Sequence, residues 1–191
     1  NIDNYFKAKL NLFIKYPELK YAVIHIDPLL TDKQLNLLIN QVKNNKKIKF
    51  YTYSISIKNN KNNINNFYFY YSEINYTNHG FKAKIKTPWG EIKLNNINLY
   101  GEFNLANILA TYITMILHNN IDNIKDAKKI SGYLSKITPL NGRMMPVNFN
   151  NKSNNKYNNH NKIFIDYAHT PDAIKQALIA LKQHFPEANI I

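Results

Sequence analysis

The chain has 191 residues, 45% of them hydrophobic, which is enough for one ample globular core or two small ones. It has no cysteine, which excludes disulfides, thiolate metal sites and cysteine nucleophiles and fits a reducing compartment; its longest nearly unbroken apolar stretch, residues 108–117, is too short to span a bilayer. The formal net charge of +13 suggests an anionic partner, but the lysines are dispersed among Asn and Ile, with only residues 43–49 dense enough to form a cluster. No RNP-like or zinc-finger spacing accompanies them, and an AT-rich genome imposes the same Lys, Asn and Ile skew on any protein, so neither a nucleic-acid nor a membrane partner is expected.

The chain begins at Asn1 rather than Met, shows no secretory signal, and reads as an excerpt of a longer protein. Residues 4–13 have a helical pattern, and residues 20–27 read as a buried strand ending at Asp27. Thr31-Asp-Lys-Gln34 has the form of a capping box, and the helix it opens carries Leu35, Leu37, Leu38, Ile39 and Val42. Residues 47–57 are β-branched and aromatic and predict a strand, followed by an Asn/Lys loop at 59–66. Three further strands are predicted over 67–76, 81–87 and 91–99, with Pro88-Trp-Gly-Glu91 supplying a hairpin turn between the last two. Two helices follow, at about 104–118 and 122–136, the second ending before Pro139.

Residues 148–161 are nearly all Asn, Lys, Ser and His and cannot bury enough apolar surface to order themselves, so they read as an exposed insertion between two domains. Beyond them a short strand is predicted at 162–166. A helix should then start at Pro171 with Thr170 as its N-cap and Ile174, Ala177, Leu178, Leu181 and Phe185 as its apolar face. A further strand is expected to begin at Asn189-Ile-Ile191. The alternation of strands and helices places the chain in the α/β class.

Three groups of residues could carry chemistry. Arg143 is the only arginine among 25 Lys and Arg residues and follows Gly142; a planar fork retained where lysine serves elsewhere is a candidate ligand for a phosphate or other oxyanion. Asp166 and His169 lie between a predicted strand and the start of a helix, the edge at which α/β folds bind nucleotides. Asp166 could accept from ribose hydroxyls or cap nearby amides, and His169 could sit near phosphates. Asn104 and Asn107 lie one helical turn apart and share a face near the start of their helix.

Gly101-Glu-Phe-Asn-Leu-Ala-Asn-Ile-Leu-Ala110, Gly142-Arg-Met144 and Asp166-Tyr-Ala-His-Thr-Pro-Asp172 resemble, in order and approximate spacing, the G-x-F-N-x-x-N-x-L-A, G-R-M-E and D-Y-A-H-T-P-D signatures of the Mur ligases. Within that family the last signature looks most like the type that adds the third residue of the peptidoglycan peptide. Tyr5-Phe-Lys-Ala-Lys-Leu-Asn-Leu-Phe13 is similar to the family's Y-x-x-A-K-x-x-L-F segment. The resemblance implies most of a central ATP-binding domain at 1–147, with a mainly parallel sheet, helices and a small antiparallel sheet. It also implies an insertion or linker at 148–161 and the start of a Rossmann-like carboxyl-terminal domain at 162–191. It implies ATP and magnesium as cofactors and a cytoplasmic, monomeric enzyme. The substrates would be UDP-N-acetylmuramoyl-L-alanyl-D-glutamate and a diamino acid, meso-diaminopimelate or lysine, joined through an acyl phosphate.

Carried over residue by residue, the family roles are Lys9 as a carbamate that holds magnesium, Asn107 on the adenine, Arg143 on phosphate and Asp166 on ribose, with Asn104 and His169 beside them. A carbamate forms only on the neutral amine, so Lys9 would need desolvation or nearby cations. Three residues depart from the family pattern: Met145 stands where Glu is usual, His25 where Asn often precedes the strand-end Asp, and Pro146 is also unusual. No G-x-x-G-K-[ST] sequence occurs in the chain, so the phosphate-cradling loop is expected before Asn1, the amino-acid recognition motif after Ile191, and no activity from these residues alone. The alternatives are the D-alanyl-D-alanine-adding ligase, the L-alanine-adding ligase and the folylpolyglutamate synthases, each with a different last signature. Outside the enzymes they are a basic nucleic-acid-binding module or a decayed remnant.

Overall fold

The computed structural model describes residues 2–16, 18–26, 31–44, 47–55, 68–147 and 162–191; Asp27, the loop predicted at 59–66 and the segment 148–161 lie outside the described residues. The elements are α1 (Ile2–Lys15), β1 (Tyr21–His25), α2 (Asp32–Asn44), β2 (Lys49–Ser54), β3 (Tyr68–Thr77), β4 (Gly80–Thr87), β5 (Gly90–Ile97), α3 (Glu102–His118), α4 (Ile124–Leu134), β6 (Met145–Val147), β7 (Ile163–Ile165) and α5 (Pro171–His184). The capping box before α2 is formed reciprocally: Gln34 N donates to Thr31 Oγ1 at 3.2 Å, and Thr31 N donates to Gln34 Oε1 at 3.1 Å.

The chain is α/β, as the pattern of elements predicts. Its main sheet runs β1-β2-β3-β4-β5, with β1, β2 and β3 parallel and β4 and β5 antiparallel to their neighbours. Strands β4 and β5 continue the parallel ones in this sheet, and β6 and β7 form the small antiparallel sheet that the resemblance implies. The parallel strands are covered on both faces, as parallel strands must be. Ala22, Ile24 and Phe50 pack with Leu35, Ile39 and Val42 of α2, while Val23 and Tyr51, pointing the other way, join the larger core beneath α3. His25, the departure at the end of β1, stacks on Tyr53 with ring centroids 4.8 Å apart.

The larger core is built by the inward residues of β3 to β5 against α3 and α4. On α3 the buried positions Leu105, Ile108, Leu109, Tyr112, Ile113 and Ile116 recur at helical spacing. Tyr112, fully buried, donates its hydroxyl to Ala127 O of α4 at 3.2 Å, so the ring fills the core without an orphaned polar atom. In β5 the inward set is Ile92, Leu94 and then Ile97, because a bulge opposite Phe81 and Ala83, with Asn96 at φ 54°, shifts the alternation by one. Gly80 fits against that bulge: its φ is +114°, and a Cβ there would lie 2.0 Å from Ile97 O.

After α4 the structure departs from the sequence reading at three points. Met145–Val147 forms β6, which the sequence reading does not predict, and pairs antiparallel with β7. Pro146 is tolerated because β6 is the edge of a two-stranded sheet. Residues 189–191 form no strand, since β7 pairs with β6 and no described strand is beside them to complete a ladder. The buried side of α5 is also rotated from the predicted one. Ala177, Ala180, Leu181, His184 and Phe185 pack with Tyr100, Met144 and Phe164, whereas Ile174 and Leu178 stay 47% and 45% exposed. Alternation along β7 turns Phe164 into that cluster and leaves Ile163 and Ile165 outside it.

Candidate active site

α3 starts at Gly101 with φ 89° and no side-chain cap. Its first turns face the segment 137–143, which ends in a turn where Arg143 N donates to Leu140 O at 3.0 Å and Gly142 has φ +70°. Between them is an open cleft of about 430 Å³. Leu99, Phe103, Ile108, Ile137, Pro139 and Leu140 give it an apolar surface, and Asn104, Asn107, Thr111, Thr138 and Arg143 supply the polar groups. Phe103 and Leu140, 41% and 75% exposed, present apolar surface to the cleft.

Three residues singled out in the sequence thus line one cleft, but they do not play equal parts. Asn104 turns its amide back to Tyr100 O at 2.7 Å and secures the start of α3. Asn107 is exposed and lines the cleft, where an amide offers a donor and an acceptor side by side.

Beside Arg143, the loop after β7 is bound to the segment before β6. Asp166 Oδ2 accepts from Met144 N at 2.8 Å and Oδ1 accepts from Ala168 N at 2.8 Å, while Tyr167 N donates to Gly142 O at 2.8 Å. The amide-capping reading of Asp166 is therefore realised. Each carboxylate oxygen has a second lone pair, so the ribose reading stays chemically open. Tyr167 stands between Arg143, whose guanidinium carbon is 5.6 Å from the ring centroid, and the imidazole of His169, 5.0 Å away. His169 Nδ1 is 3.0 Å from Tyr167 O, and Thr170 caps α5 by accepting from Ala173 N at 3.3 Å. Arg143, Asp166 and His169 are brought to one edge by these bonds.

Lys9 is placed apart from this group. It is exposed on α1, its Nζ 5.2 Å from the ring centroid of Tyr5, and it does not line the cleft. Among the described residues no group of three or more His, Asp or Glu side chains could hold a metal ion. Also among the described residues, no helix is long and apolar enough to cross a membrane.

Sequence reasoning left Phe103, Leu140 and Tyr167 without a role, although all three stood inside or beside the motifs. An aromatic on the outer face of a helix start, two residues after a glycine, is the signal that could have found Phe103.

Residues 1–115 match the Mur ligase middle domain. The chain belongs to the Mur ligase family. Among its relatives in that family is the UDP-N-acetylmuramoyl-L-alanyl-D-glutamate–2,6-diaminopimelate ligase of Wigglesworthia glossinidia brevipalpis, 29% identical over 189 residues, which are 97% of this chain and 32% of that protein. The ligase of the same name from Synechocystis sp. is 31% identical over 186 residues, again 97% of this chain and 32% of the relative. A solved structure of a ligase with that name superimposes with a TM-score of 0.69 at 26% identity, over 96% of this chain and 32% of the other. The chain thus spans about a third of the length of the Mur ligases it matches.

Proposed function

We propose that the protein carrying this chain is an ATP-dependent amide ligase of peptidoglycan synthesis, acting in the cytoplasm. In this reading it joins diaminopimelate to UDP-N-acetylmuramoyl-L-alanyl-D-glutamate through an acyl phosphate. The observation that carries the reading is the cleft in which Asn104, Asn107 and Arg143 meet, with Asp166 bonded to the residue after Arg143. Diaminopimelate is preferred over lysine because the relatives are named for it. The division into residues 1–147 and 162–191 belongs to the same proposal.

Each residue has a task that its chemistry suits. Phe103 and Leu140 would cover the faces of adenine, and the Asn107 amide would pair with its edge, which presents a donor next to an acceptor. Arg143 would hold phosphate oxygens with two parallel N–H bonds, a geometry lysine cannot supply. Asp166, already fixed by two amides, would accept a ribose hydroxyl on its remaining lone pairs. His169 would stand on the phosphate side of the loop. Magnesium, when bound, would offset charge on the transferring phosphoryl group, and Lys9 as a carbamate would be an oxygen ligand of the kind that ion prefers.

The full-length protein, supplied with ATP, magnesium, the UDP-dipeptide and diaminopimelate, should release phosphate and tripeptide in equal amounts. Phosphate release that is indifferent to both acceptor and amino acid would refute the reading.

A further inference from the structure

His184, in the last turn of α5, is 4% exposed, and both ring nitrogens bond to backbone far away in sequence. Nδ1 lies 2.8 Å from Thr77 O at the end of β3, and Nε2 accepts from Gly101 N at 3.2 Å at the start of α3. A carbonyl only accepts and an amide only donates, so the two bonds fix the neutral tautomer with its proton on Nδ1. At Gly101 the start of α3 meets α5: with φ +89°, a Cβ there would stand 3.0 Å from Ala180 Cβ and 2.7 Å from the Phe103 ring. The preceding carbonyl, of Tyr100, is the one that holds the Asn104 side chain. The imidazole is thus joined through one peptide unit to two residues of the cleft, Phe103 by packing and Asn104 by hydrogen bonding.

We propose that His184 is a positioning residue for the nucleotide cleft: neutral, it ties α5 to the first turn of α3, and protonated, it releases that joint and weakens nucleotide binding. The inference rests on the nucleotide reading above. Protonation would place an Nε2–H donor against the Gly101 N–H in a site closed to water, leaving two donors facing each other. Burial holds the imidazole below its ordinary value of 6.5, with the carbonyl bond to Thr77 and a contact with Gly80 opposing. The Tyr76 and Tyr100 rings stand edge-on at 5.0 and 4.9 Å, and burial pushes both phenols up, that of Tyr76 to about 12, so neither is charged near neutral pH. Among the described residues, the other titratable groups near the joint include His79 in the β3–β4 turn, the Glu102 carboxylate beside Gly101, and two lysines. Lys162 is bonded to Asn78 O with its ammonium 5.0 Å from the Phe185 ring centroid, and Lys182 is bonded to the Pro186 and Ala188 carbonyls.

Because the folded value is depressed, the joint is fully made above about 6.5, and it is lost as pH falls from there through the folded value. The test compares the full-length protein with His184→Gln, whose amide also offers a donor and an acceptor but does not titrate. ADP affinity is measured from about pH 8 downward through the acid limit of the folded protein, with hydrogen exchange of the Gly101 amide followed in parallel. The parent should lose about threefold to tenfold in affinity across that range beyond any loss in His184→Gln, and Gly101 protection should fall with the same midpoint. Equal pH dependence in the two proteins overturns the positioning role. A Gly101 protection factor, corrected for intrinsic exchange, that stays constant with pH overturns the joint itself, and absence of ADP binding at every pH overturns the nucleotide reading on which the role depends.

Discussion

Removing the Asp166 carboxylate should open the seam between Gly142-Arg-Met144 and the loop after β7. Its two oxygens each accept a backbone N–H at 2.8 Å, from Met144 and from Ala168. Met144 is 1% exposed and has φ 46°, a left-handed conformation that costs an L-residue about 1–2 kcal/mol. The seam therefore holds a strained residue in place. A hydrogen bond to a charged group contributes a net of roughly 1.5–3 kcal/mol, and partial exposure and coupling between the two reduce their sum. Asp166→Ala should cost about 2–4 kcal/mol locally, which corresponds to a roughly 30-fold to 1000-fold faster exchange of the Met144 and Ala168 amides. Asp166→Asn keeps one acceptor but turns an NH₂ donor on the other amide, so it should cost about 1–3 kcal/mol. Hydrogen exchange read residue by residue over 142–147 and 163–168 decides it. Protection of both amides within about threefold of the parent in Asp166→Ala would show that the carboxylate does not hold this seam.

At Arg143, substitution by lysine keeps the charge and loses the fork, so kcat of the full-length ligase should fall by roughly 10²-fold with thermal stability unchanged; a change within about threefold removes the phosphate contact. Gly80→Ala should destabilise by about 3 kcal/mol or more in urea unfolding, because the new Cβ meets Ile97 O and the backbone is left-handed; a cost under about 1 kcal/mol would mean the bulge yields freely. Lys9→Ala should lower turnover of the full-length enzyme and recover part of it when a short-chain carboxylate is added, whereas unchanged turnover would take Lys9 out of the proposal.

Much of the architecture was legible because local chemistry and tertiary context agree. The capping box at Thr31 and Gln34, the cap at Thr170 and the turn at Pro88-Trp89 are each formed as the residues predict. What was not legible depends on partners distant in sequence. β6 is three residues whose only described partner, β7, comes after the segment 148–161, so nothing local marks it as a strand. The bulge at Asn96 changes which residues of β5 face inward, a shift that strict alternation cannot show. On α5 the period was right and the phase shifted, because His184, outside the predicted apolar face, occupies a buried position and satisfies both nitrogens on other elements. The candidate site divides in the same way. Asn104, Asn107 and Arg143, which the motifs single out, line one cleft, whereas the same motif reading gives no reason for Lys9 to stand exposed beside Tyr5.

The claim on which the account turns is that the cleft between α3 and the segment 137–143 receives the base of ATP. An azido-ATP photoprobe, irradiated with the full-length protein and mapped by peptide mass spectrometry, tests it most directly. The account predicts that label suppressed by excess ATP falls on residues 99–111 and 137–143, and that Asn107→Ala reduces it. ATP-suppressible label confined to other segments, the lysine-rich stretch 43–49 for example, with none on either wall of the cleft, would contradict it.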